Sequence, residues 1–339
     1  MSIAIVGGGI IGLAIAHELR RRGADCTVYD ASTPESEGAW HVSGGMIAAG
    51  RESAFEHPQL AGLLAASSGL WPEFAAALGP GIGYDEAGSL GVALTADDVA
   101  VAQRVWRVQQ VPVLRGSRLR ELEPALSPRI RAGVHAPAER QVDPRRVMAV
   151  LRSRLANRIV PKRITTVDEV DADTVVVAAG CDTAALTGLP IRPIKGQVLR
   201  LRGEPGLLRH VVTGFADGRF VYLVPRDTGE VVVGATQEEL ADTTVTAGGV
   251  HDLLRAALDL VPGLSDHELA ETAAGHRPGT PDNAPILGRL DGDRRIVVAS
   301  GHHRSGILLA PITARLIADL VLTGSADPLL EAFAPGRFG

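Results

Sequence analysis

The chain opens on a short apolar run, Ile3-Ala4-Ile5-Val6, which stops at Gly7-Gly8-Gly9-Ile10-Ile11-Gly12 and continues with apolar residues at helical spacing over 13–22. That order predicts a strand, a tight turn and a helix. Gly23 stands where glycine ends a helix, and 26–29 predicts a second strand closing at Asp30, which completes a βαβ unit of about 30 residues. Helical periodicity returns over 58–78, 96–111 and 145–157, with Pro- and Gly-rich connections between. The continuous apolar run at 174–180 reads as a buried parallel strand. Between 194 and 236 the texture changes to strands in close succession at 197–201, 210–213, 220–224 and 230–234. Asp227-Thr228-Gly229 is a hairpin turn, and the block reads as antiparallel. A helix at 250–260, a strand at 295–299 and a closing helix at 307–322 complete the pattern, with no internal repeat.

Composition narrows this picture. A chain of 339 residues exceeds the size at which one core stops growing, so two domains are expected. Its 45% apolar and 22% charged residues are ordinary for a globular protein. A net charge of -5 and a pI near 6.1 exclude a phosphate-backbone partner, which needs a basic face. Arginine supplies nearly all the positive charge, since Lys162 and Lys195 are the only lysines. Cys26 and Cys181 lie far apart in apolar stretches and read as reduced core thiols, and no His/Cys spacing suits a metal. The apolar N-terminal run is broken by glycines and has no basic leader, so neither a signal core nor a membrane span is expected, and the location read is cytoplasmic.

The strongest local signal is Gly7, Gly9 and Gly12 in the GxGxxG positions of a dinucleotide fold, after a strand and opening a helix. The first glycine makes the tight turn, the second lets a pyrophosphate approach the backbone, and the third lets helix and strand pack closely. The phosphates then meet the helix N-terminus, where unpaired N–H groups favour anions. Asp30 stands about 20 residues on, where a ribose-binding carboxylate belongs. The fingerprint alone does not separate FAD from NAD, because both present an ADP half. A nicotinamide enzyme usually continues in regular βαβ repeats, whereas here an antiparallel block follows.

The C-terminal third carries His276-Arg277-Pro278-Gly279-Thr280-Pro281-Asp282-Asn283-Ala284-Pro285 and Ala299-Ser300-Gly301-His302-His303-Arg304-Ser305-Gly306-Ile307-Leu308-Leu309-Ala310-Pro311. With the N-terminal glycines, Gly44-Gly45-Met46, Pro193-Ile194-Lys195-Gly196-Gln197, Tyr222-Leu223-Val224-Pro225-Arg226 and Val233-Gly234-Ala235-Thr236, the chain resembles the D-amino acid oxidase and glycine oxidase family of FAD enzymes, nearest to the glycine oxidases of thiamine biosynthesis. The resemblance runs from Ile3 to about Phe333. It implies flavin contacts at Ile10, Ile11, Asp30, Ala31, Gly44, Gly45, Met46 and Ile164, with His302, His303, Arg304, Ser305, Gly306, Ile307 and Leu308 along the flavin ring. It implies substrate contacts at Tyr222, Arg277 and Arg304, and a guanidinium fork suits a planar carboxylate. Without the motif, Arg277 reads as surface charge in a loop-like segment and Tyr222 as packing in a β-run.

Three departures from the family stand out. Trp40-His41-Val42-Ser43 replaces a small hydroxyl-rich run, Gln237 replaces an apolar pocket residue, and the link from Ile164 to Thr174 is short. The fold expected is α/β with an α+β second domain: a discontinuous Rossmann-type FAD domain of residues 1–50, 142–192 and 274–335, holding an inserted mixed or antiparallel-sheet substrate domain of 51–141 and 193–273. The resemblance implies FAD-dependent oxidation of glycine, and of sarcosine or small D-amino acids, to the imine and glyoxylate, with hydrogen peroxide released and thiazole synthesis supplied. The partners are then a small amino acid and oxygen, with homo-oligomerisation left open. The alternatives are an amine dehydrogenase with another electron acceptor and a non-catalytic nucleotide-binding module.

Overall fold

The apolar run at the N-terminus has parallel neighbours on both sides, which is why it carries no polar alternation. A computed structural model of the chain describes residues 1–31, 38–52 and 58–338. Ile3–Val6 lies between Thr27–Asp30 and Thr174–Val177. From edge to edge the six-stranded sheet runs Ile286–Leu290, Asp293–Ser300, Thr174–Val177, Ile3–Val6, Thr27–Asp30 and Ile159–Pro161. Every pairing is parallel except that of Ile286–Leu290 with Asp293–Ser300. Strands distant in sequence thus sit side by side, and the nucleotide-type sheet is discontinuous.

The helices Ile10–Arg21, Pro58–Leu78 and Gly306–Thr323 cover this sheet, with Leu13, Ile15, Leu63, Leu64, Trp71, Leu309 and Ile317 fully buried in one core. Gly306–Thr323 is apolar nearly all round because it is enclosed. By length and composition the stretch His303–Thr323 passes for a membrane span, yet it is mostly buried within the protein. Pro311 interrupts this helix, and Pro58–Leu78 compensates the disturbed backbone. The Leu308 carbonyl accepts from Ser67 Oγ at 2.6 Å and Trp71 Nε1 at 3.0 Å, while the Ile312 N–H donates to Ser67 Oγ at 3.4 Å.

The second sheet has eight strands, in the order Glu268–Gly279, Arg192–Arg202, Glu230–Gly234, Arg219–Pro225, Val211–Ala216, Ser89–Ala93, Ala132–Ala136 and Val113–Arg115. It is antiparallel except for the parallel pairing of Val211–Ala216 with Ser89–Ala93, and helix Ala247–Leu260 packs into its core. The antiparallel block read at 194–236 is present. Glu268–Gly279 escapes the hydrophobic pattern because an edge strand with one partner tolerates the glycines, charges and Pro278 that argue against a strand. Arg277 therefore stands on a strand opposite Ile194, and not in the loop its sequence suggested. A short antiparallel pair, Met46–Ile47 with Arg140–Gln141, bridges the two sheets.

Candidate active site

A cleft of about 1030 Å³ runs between the sheets. Its deep end begins at the turn after Ile3–Val6. Gly7 has φ +114°, and a Cβ there would lie 2.4 Å from the Ala178 carbonyl oxygen. Gly8 and Asp30 touch, because a Cβ on Gly8 would meet the Asp30 carboxylate at 2.4 Å. Gly9 differs: nothing among the described residues lies within 4 Å of its missing Cβ, and it faces the cleft at the N-terminus of Ile10–Arg21. Glycine-lined backbone before a helix N-terminus suits a pyrophosphate. Gly12 alone among the expected residues does not line the cleft. A Cβ there would sit 1.9 Å from the Gly7 carbonyl oxygen, so its part is close packing of helix on turn.

Asp30 and Ala31 line the cleft beyond these glycines, and Ile164 closes it from the side. The Asp30 carboxylate accepts from Arg152 Nη2 at 2.7 Å, and the same nitrogen reaches the Gly8 carbonyl at 3.3 Å. Arg152 comes from helix Pro144–Leu155, and nothing in the sequence couples it to Asp30. Midway along, Gly44, Gly45 and Met46 form the wall. Gly45 has φ +75° and its missing Cβ would lie 2.0 Å from the Val142 carbonyl oxygen. Arg226, buried, holds this turn: Nη2 donates to the Gly44 carbonyl at 2.8 Å, and Nη1 to Gln141 Oε1 at 3.0 Å and the Val142 carbonyl at 3.2 Å. Burial brings the Arg226 guanidinium down to about 10. The sequence motif ending at Arg226 gave no sign of this second attachment.

The Trp40-His41-Val42-Ser43 departure lies at the joint of the two sheets. The His41 carbonyl accepts from Arg145 Nε at 3.1 Å and Arg200 Nη2 at 3.2 Å, and Arg145 makes a bidentate pair with Glu271 at 2.6 and 2.9 Å. Val42 packs over Gly275 on the edge strand. These contacts carry the segment along the cleft wall, which Trp40, Val42 and Ser43 line.

His302, His303, Arg304, Ser305, Gly306, Ile307 and Leu308 all line the cleft and enter the N-terminus of Gly306–Thr323. His302 is buried with Nε2 3.1 Å from Thr313 Oγ1, and burial pushes its imidazole down to about 3. His303 adopts a left-handed φ of +47°, and both its buried ring nitrogens lack a hydrogen-bond partner among the described residues. Burial, aided by Arg304, Arg277 and Arg192, pushes it down to about 3 as well. Both rings are therefore neutral at physiological pH. Arg304 is exposed at the cleft.

Tyr222 and Arg277 face the same space from the second sheet. Tyr222 stands opposite Gly234, and its ring occupies the room that the missing side chains of Gly234 and Gly44 leave. The Arg277 guanidinium lies over Gly196 for the same reason, and Nη1 donates to the Thr236 carbonyl at 3.2 Å and the Lys195 carbonyl at 3.4 Å. Gln237, Phe215 and Phe220 line the cleft nearby. Cys26 is in the core as expected, whereas Cys181, expected there too, lines the cleft. Burial raises the Cys181 thiol to about 11, so it stays protonated.

A glycine cradle at one end and a second helix N-terminus at the other define a dinucleotide-binding oxidoreductase cleft, with a cation on its far wall. The chain belongs to the DAO family of FAD-dependent oxidoreductases, whose model matches residues 2–320, and FAD is its cofactor. It is 34% identical to a glycine oxidase of Geobacillus kaustophilus over 94% of this chain and 92% of that one. The crystal structure of glycine oxidase from that organism superposes with a TM-score of 0.88, at 31% identity over 99% of this chain and 98% of the other. It is also 34% identical to the bifunctional protein ThiO/ThiG of Synechocystis, over 99% of its own residues. There it spans 54% of the relative, about half its length.

Proposed function

We propose that this enzyme oxidises the C–N bond of glycine, and of sarcosine and small D-amino acids, releasing hydrogen peroxide. The observation that carries the reading is the Arg277 guanidinium, fixed by two backbone carbonyls on the cleft wall between Tyr222 and the segment 302–308. A planar, two-pronged cation in that place matches an amino-acid carboxylate. FAD, when bound, supplies the two-electron acceptor for the hydride leaving Cα, and oxygen takes those electrons on to form peroxide. The protein's own task is placement. Arg277 holds the carboxylate, Tyr222 limits the space beside it, and the buried neutral imidazoles of His302 and His303 add no charge that would compete for the carboxylate. Water hydrolyses the resulting imine to the 2-oxo acid and the amine, which for glycine are glyoxylate and ammonia.

The relatives named glycine oxidase support glycine as substrate, and a relative named as a putative thiamine biosynthesis oxidoreductase supports thiamine synthesis, through its thiazole, as the proposed destination. In the same reading residues 1–50, 142–192 and 274–335 form the cofactor domain and residues 51–141 and 193–273 the substrate domain, except that helix Pro58–Leu78 packs on the first sheet and strand Glu268–Gly279, with Arg277, belongs wholly to the second, and the enzyme works in the cytoplasm. The experiment is a visible spectrum of the holoenzyme under nitrogen, before and after glycine, followed by admission of air. Bleaching by glycine and peroxide release in air are expected. A flavin that no small amino acid bleaches refutes the proposal.

A further inference from the structure

Lys195 is one of two lysines in the chain, and its side chain is 1% exposed. A buried ammonium needs partners, because an uncompensated charge in the interior is strongly destabilising. Its partners all belong to one segment, residues 236–246, which has left the strand Glu230–Gly234 and crosses the substrate end of the cleft. Nζ donates to Asp242 Oδ1 at 2.8 Å and lies 3.8 Å from Glu238 Oε2. The main chains of Lys195 and Glu238 exchange two hydrogen bonds, at 2.8 and 3.0 Å.

Further bonds tie the same segment down. Glu238 Oε1 accepts from Gln197 Nε2 at 2.7 Å and Thr236 Oγ1 at 2.6 Å. Gln197 Oε1 accepts from the Thr246 N–H at 2.8 Å, and Arg192 pairs with Glu239 at 2.9 Å. The segment places Thr236, Gln237 and Thr243 on the cleft wall. Arg277 donates to carbonyls at both ends of this arrangement, those of Thr236 and Lys195. The Asp242 carboxyl is held at about 2, chiefly by Lys195, so this carboxylate keeps its charge at any working pH.

We infer that Lys195 is a positioning residue: by pinning residues 236–246 across the cleft it fixes the two carbonyls that orient Arg277. The inference rests on the reading of Arg277 as carboxylate anchor. Lys195→Met removes the ammonium at similar volume, and Asp242→Asn cuts the same tie from the exposed side, where folding is spared. With the holoenzyme, acetate is titrated as a bare carboxylate probe through its perturbation of the flavin spectrum, and glycine KM and kcat are measured beside it. Both variants are expected to keep full flavin and a kcat near wild type while weakening acetate and raising KM about tenfold. A merely structural role would lower the melting temperature and leave acetate affinity of the folded holoenzyme unchanged. If both variants bind acetate as wild type while Arg277→Lys does not, this inference fails alone. If Arg277→Lys also binds acetate normally, the anchor reading fails and takes the inference with it.

Discussion

Arg277 reaches the cleft from an edge strand, and its fork is aimed by carbonyls on two neighbouring segments. Arg277→Lys keeps the charge but loses the planar fork, and Arg277→Ala loses both. Each is expected to leave flavin content unchanged and to cost about 3 to 5 kcal/mol, a factor of hundreds or more in kcat/KM. Steady-state assays beside the absorbance ratio of flavin to protein check this, and a change of only a few-fold would place the anchor elsewhere. His302 and His303 make a second prediction. Both imidazoles are held down at about 3 in the folded protein against an ordinary 6.5. Between those values the unfolded chain binds protons that the folded chain refuses, so stability rises with pH there and falls as pH drops below about 6.5. Thermal melts from pH 7.5 to 5 should show this decline, and His303→Phe should flatten it. An equally steep decline in that variant would assign the protons elsewhere.

The turn between Ile3–Val6 and Ile10–Arg21 uses its glycines for different purposes. Gly12→Ala drives a methyl into the Gly7 carbonyl, and no flexible side chain can yield. Gly9→Ala meets nothing in the protein itself, and its φ of -76° suits any residue. Gly12→Ala is therefore expected to fail in folding, whereas Gly9→Ala folds as an apoprotein with wild-type circular dichroism and binds FAD poorly. A Gly9→Ala protein that retains full flavin would move the pyrophosphate off that backbone. The βαβ unit, the hairpin at 227–229 and the closing helix were legible because each is an apolar or strand-forming run bounded by glycine. The edge strand Glu268–Gly279, with Arg277 on it, was not. Its residues neither alternate nor resist solvent, and only the pairing with Arg192–Arg202 makes it a strand. Arg152 and Arg226 were invisible for a related reason: their targets, Asp30 and the Gly44 carbonyl, are remote in sequence, and a chain rich in arginine offers no contrast.

At the scale of the whole molecule, the proposed substrate end of the cleft is lined by Tyr222, Phe215 and Phe220 of the second sheet together with His303 and Arg304. Glycine is expected to exceed D-phenylalanine in kcat/KM, and L-alanine to fail, because a carboxylate held at Arg277 with Cα–H toward the cofactor leaves room for a side chain on one face only. Gln237, exposed at the cleft, adds a polar wall that suits D-serine. Peroxide release from glycine, sarcosine, D-alanine, D-serine, D-phenylalanine and L-alanine tests the order, and a lead for D-phenylalanine overturns it. FAD is expected to be held without a covalent bond. Cys26 is enclosed, and Cys181, though at the cleft, keeps its proton with a thiol at about 11. Acid precipitation should release the yellow colour into the supernatant; colour in the pellet would mean a bond.

The order of strands in the first sheet has a consequence for synthesis on the ribosome. Ile3–Val6 and its glycines emerge well before their neighbour Thr174–Val177, and Asp293–Ser300 with the helix behind it come later still. The nascent chain therefore carries a phosphate turn with no finished cleft until the helix Gly306–Thr323 has been made. Cofactor capture must then wait for the strand and helix at 293–323, and chains made in cells short of riboflavin would hold an unfilled cleft, the form that proteases and aggregation remove first.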